Sequence, residues 1–101
     1  MKIDNVEKLN QYINGRISGM QEAFDKALEA YAGYTIPVSK CINAAASKAE
    51  KDIDHAIWNM TEDVLSIEDQ QSMVMLLQKI ISDMRMDAVD ILLLLAKNGG
   101  K

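Results

Sequence analysis

Asp83, Asp87 and Asp90 recur at 4-then-3 spacing, which on a helix sets three carboxylates along one face where a hard cation such as calcium could be held. Calcium sites ordinarily draw their ligands from a loop, and Lys79 and Arg85 stand close by, so these acids read as a solvated stripe. His55, with Asp52 and Asp54 beside it, offers the imidazole and carboxylates common to metal sites and proton transfer. Helical geometry directs Asp52 and His55 to similar faces and turns Asp54 away, which leaves the set short of a catalytic zinc site. Cys41 is the only cysteine and cannot form an internal disulfide; with Ile42 and Ala45 around it, it is expected to be a small buried hydrophobe in a reducing compartment. It lies about four helical turns from His55 on one rod, too far for a nucleophile and base pair. No catalytic, metal or cofactor-binding residue is assigned, no cofactor is called for, and the chain is expected not to be an enzyme.

The elements that would carry these residues are helical. With 101 residues, one proline, 5% aromatic content and 49% apolar content, the chain reads as a single all-α domain spanning residues 1–101. Asp4 ahead of Glu7 suggests a capping box, and Val6, Leu9, Ile13, Ile17, Met20, Phe24, Ala27, Leu28 and Tyr31 continue at helical spacing, predicting a helix over residues 5–32 ended by Gly33. Asn14-Gly15 is a weak point in it, and the Gly15 and Gly19 spacing could admit a close helix neighbour. A second helix over 37–63 starts at Pro37, which suits a first turn, and runs along Val38, Ile42, Ala45, Ala49, Ile53, Ala56 and Met60, with Trp58 expected to anchor the following turn. Ser66 caps a third helix over 67–97, with Glu68 and Asp69 in its first turn and Asn98-Gly99-Gly100 beyond it. Short connections fold consecutive helices back antiparallel, either as a three-helix bundle or as an open bundle completed by another subunit.

The third helix carries the longest apolar stripe: Ile67, Gln70, Val74, Leu77, Ile81, Met84, Ala88, Ile91 and Leu95, an edge about 40 Å long interrupted by Gln70. Beyond Asp87 the apolar surface widens until it covers most of the circumference. Val89, Ile91, Leu92, Leu93, Leu94 and Leu95, with Met84 and Met86, are the candidate interface, because a three-helix monomer leaves one side of this helix in water. The expected function is self-association or partner binding through this C-terminal helix. The alternative is a small acidic binding module, of inhibitor, antitoxin or chaperone type, acting on a basic protein.

Fifteen acidic against eleven basic residues give a net charge of −4, with the basic residues interleaved among carboxylates, so no surface attracts nucleic acid. The apolar run from Ile91 to Ala96 is far short of the roughly 20 residues a bilayer crossing needs. Residues 1–20 hold Asp4, Glu7, Lys8 and Arg16 where a signal peptide would be apolar. The partner is therefore expected to be a protein, a second copy or a heterologous helix, and the location cytoplasmic unless the chain is exported without a cleaved signal.

An Ala-rich arm from Ala44 to Asp54, a turn Leu65-Ser66-Ile67-Glu68-Asp69 with acidic residues, and a second arm from Met73 to Ile81 with Gln78 inside it together resemble the helical hairpin of type III secretion needle and inner-rod subunits. The resemblance covers residues 44–95. It implies a subunit exported without a cleaved signal that packs its C-terminal helix against copies of itself in a filament. The chain departs from that pattern in having Ile67 where the family's turn usually has proline, and in the long segment before Pro37.

Overall fold

The computed structural model describes residues 2–99, which form three α-helices: α1 (Val6–Glu29), α2 (Thr35–Trp58) and α3 (Ile67–Gly99). Asn5 caps α1, its Oδ1 accepting from the Lys8 backbone N–H at 2.8 Å, while Asp4 forms an ion pair with Lys8 at 3.1 Å and is not the cap. The helix is continuous through Asn14-Gly15. It ends earlier than its periodicity suggests, at Glu29, and Gly33 takes its left-handed conformation (φ 86°) within the connecting turn. α2 begins at Thr35, two residues ahead of Pro37. Pro37 still falls in the first turn, where backbone N–H groups have no partner within the helix.

α2 stops at Trp58, although helical spacing runs on to residue 63 without a breaker. The reason lies in α3. Gln70 is 3% exposed, and its side-chain amide donates to the backbone carbonyls of Met60 at 3.1 Å and Leu65 at 2.8 Å. Met60 and Leu65 are themselves buried, so the connection is drawn inward and its carbonyls are satisfied from ten and five residues ahead. Trp58, expected to anchor this turn, is 47% exposed; Ile57 and Met60 fill the core there. Ser66 caps α3 as expected, its Oγ accepting from the Asp69 N–H at 3.2 Å.

α2 packs along both α1 and α3, which touch each other only lightly. Arg16 of α1 pairs with Asp52, whereas Arg85 of α3 donates to Asn43 Oδ1 at 3.4 Å. Asn43 and Asp52 are nine residues apart, about two and a half turns, so they project from opposite sides of α2. Both pairs flank the single buried arc of α2 from Val38 to Ile57, so the helices form a three-helix bundle in which α1 and α3 touch each other less than either touches α2. Its Cα extents are 58 × 24 × 16 Å and its radius of gyration is 16.0 Å, against about 13 Å for a compact chain of this length.

The core runs along the inner face: Leu9, Ile13, Met20 and Phe24 of α1, Val38, Ile42, Ala46, Ala49, Ile53 and Ile57 of α2, and Val74, Leu77, Ile81, Ala88 and Leu92 of α3. Cys41 is exposed, contrary to expectation, because Ile42 occupies the inward position and its predecessor is rotated about 100° from it.

Candidate functional site: the outer flanks of the third helix

The seam of α3 follows the expected stripe from Gln70 to Ala88 and then departs from it. Leu92 is 1% exposed and Ile91 is 48% exposed. A strict seven-residue repeat from Gln70 would bring Ile91 inward only if the helix wound around its neighbour. In a straight helix, Leu92, 22 residues after Gln70, returns about 40° from the starting direction and Ile91 about 60° on the other side. The partner helix α2 lies on the Gln78 and Arg85 side, toward Leu92, and that decides between the two.

The candidate interface divides accordingly. Leu92 belongs to the core and is not available to a partner, a correction to its place among the interface residues. Val89 and Met84 are half-buried and pack against the core, and Leu95 is also half-buried. Ile91, Leu93, Leu94 and Met86 are exposed, the last three at 56%, 58% and 55%. Two flanks result. Met75, Met86 and Leu93 share one face, while Leu76, Ile80, Ile91 and Leu94 lie on the side of α3 turned away from α2. The second flank is interleaved with Asp83 and Asp87. Asp83 pairs with Lys79 at 3.2 Å, and among the described residues neither Asp87 nor Asp90 is in an ion pair.

The antiparallel register brings further apolar groups to the same end. Asn43 lies level with Arg85, so Ile36, one heptad before Asn43, lies level with the last turns of α3; Ile36 and Tyr34 are both mostly exposed. Sequence spacing could not place them there, since they lie in the first turn of α2 and the connection before it.

The residues considered for chemistry are dispersed. Asp52 accepts from Arg16 and lies 3.6 Å from Lys48 Nζ, so its charge is engaged by two cations. Arg16 also sits 6.0 Å from the Tyr12 ring centroid, and its Nε is buried without an acceptor. Asp54 faces the α3 side, where burial raises its pKa and the Gln78 side chain partly opposes that rise. His55 is exposed and shares only a shallow surface hollow with Ser47, Glu50, Lys51 and Asp54. Among the described residues, no three His, Cys, Asp or Glu side chains are placed to hold a metal ion, Asp83, Asp87 and Asp90 included.

A groove of about 270 Å³ runs between α1 and α2, lined by Gly15, Gly19, Ala23 and Ala45 and by the core residues Met20 and Ala49, with Arg16 and Lys48 also against it. A Cβ added at Gly15 or Gly19 would meet nothing within 4 Å, so the two glycines open a channel and do not draw α2 closer. Among the described residues, no helix is long and apolar enough to cross a membrane. Comparison with family models, with curated proteins and with solved structures finds no match for this chain.

Proposed function

We propose that this protein is a non-enzymatic helical assembly protein that associates with copies of itself through the outer flank of α3. The observation that carries the reading is the partition of the last turns of α3: Leu92 is inside the core with Val89 and Leu95 half-buried beside it, and Ile91, Leu93 and Leu94 stand exposed. Each of these side chains is about half exposed, so covering it would add about 1 kcal/mol of burial, and exposed apolar side chains grouped at one end of a helix mark contact surfaces. The light contact between α1 and α3 supports the same reading. So does the dispersal of the polar candidates, since Asp52 is held by cations and His55 stands alone on the surface.

Light scattering across a concentration series tests this. The mass is expected to rise well above 11.2 kDa for the native chain and to fall to that value for Leu94→Glu with helix content unchanged. A native chain that stays at 11.2 kDa throughout overturns self-association and favours the acidic binding module, which is monomeric alone.

A further inference from the structure

We infer that the outer flank of α3 in one copy seats in the groove between α1 and α2 of another, a head-to-tail contact resting on the self-association proposed above. The flank presents Ile91 and Leu94 as a ridge, and the groove is lined by Gly15, Gly19 and Ala45, with open space above the two glycines where a Cβ would meet nothing within 4 Å.

Charge selects this partner surface. Arg16 and Lys48 border the groove and share one carboxylate, Asp52, so the border keeps a positive surplus. Asp87 and Asp90 lie one turn before Ile91 and Leu94 and have no ion pair of their own among the described residues. Seating the ridge brings these carboxylates to Lys48 and Arg16. Two α3 flanks laid together, either parallel or antiparallel about the middle of the stripe, would instead set Asp83 and Asp87 against their own copies, which is unfavourable. Ridge and groove are different surfaces, so each added copy leaves one of each free and the contact repeats.

Gly19→Leu extends a side chain into the groove from a position whose Cβ meets nothing within 4 Å and replaces a poor helix former, so it should leave the melting temperature unchanged or higher while reducing the scattering mass to that of the monomer. Asp90→Lys and Lys48→Glu should each weaken assembly at least about tenfold, and the double variant should restore it. In a Cys41→Ala background, mixing Gly19→Cys and Leu94→Cys chains should give a disulfide between unlike chains. If Leu94→Cys chains instead cross-link to each other, or if Gly19→Leu assembles like the native chain, the head-to-tail contact is wrong while self-association through α3 stands. A monomeric native chain overturns both.

Discussion

Replacing Gln70 by Met tests whether the α2–α3 connection is held by one buried amide. The substitution keeps the side chain's length and approximate volume and removes its amide, both the N–H donors and the acceptor oxygen. The carbonyls of Met60 and Leu65, now accepting at 3.1 and 2.8 Å, would lose these partners in a buried setting. Each of the two lost bonds costs about 1–3 kcal/mol when the remaining group stays buried, and the apolar side chain returns about 1 kcal/mol of burial, leaving a loss of about 1–5 kcal/mol, near 3 kcal/mol at the centre of the range. For a domain of this size that centre corresponds to a fall in melting temperature of about 12–24 °C, followed by far-ultraviolet circular dichroism. Gln71→Met, one residue along and exposed, is the control and should shift stability by less than about 0.5 kcal/mol. Gln70→Glu should be worse than Gln70→Met at neutral pH, because a carboxylate would face two carbonyl oxygens, and it should recover partly in acid, where the protonated group can donate one bond. A Gln70→Met chain melting within about 3 °C of the native chain would refute the assignment of that turn to Gln70.

Leu92→Ala should cost about 2–5 kcal/mol in urea unfolding, whereas Leu93→Ala should stay within about 0.5 kcal/mol; equal effects would contradict the placement of Leu92 inside and Leu93 outside. Asp54 has its pKa raised above 3.8 by burial, so the folded state holds that proton more tightly than the unfolded chain, and stability falls as pH rises through the range above 3.8. Asp54→Asn should therefore melt higher than the native chain near pH 7 and lose that advantage near pH 3, a comparison that fails if the difference is the same at both.

Helix existence was legible because it depends on neighbours along the chain. Ser66 as a cap, Gly33 as a left-handed turn residue and the stripe from Gln70 to Ala88 all follow from local backbone chemistry and a 3.6-residue period. The polar candidates were also read correctly in one respect, since Asp52 and Asp54 do face different ways. What local reasoning missed were contacts across the fold. Gln70 looked like a defect in an apolar seam, yet a lone amide at an inward position just after a turn is the signal for a side chain that holds that turn's carbonyls. Cys41 was expected inside from its apolar neighbours and Trp58 was expected to anchor the following turn, but the inward direction of α2 is set by Ile42 and Ile57.

The sequence by itself determined three helices, their approximate limits and the surplus of apolar surface toward the end of the third, because periodicity and capping act over a few residues. Only the tertiary structure decided which part of that surplus is spare. α1 and α3 each pack along α2 and touch each other only lightly, so α1 covers little of α3. The rotation of α3 turns Leu92 inward in place of Ile91 and leaves Ile91 and Leu94 facing out beside Asp87. Which residues stay uncovered depends on a helix's rotation about its axis and on where its neighbour lies, and neither quantity is encoded within any single window of the chain.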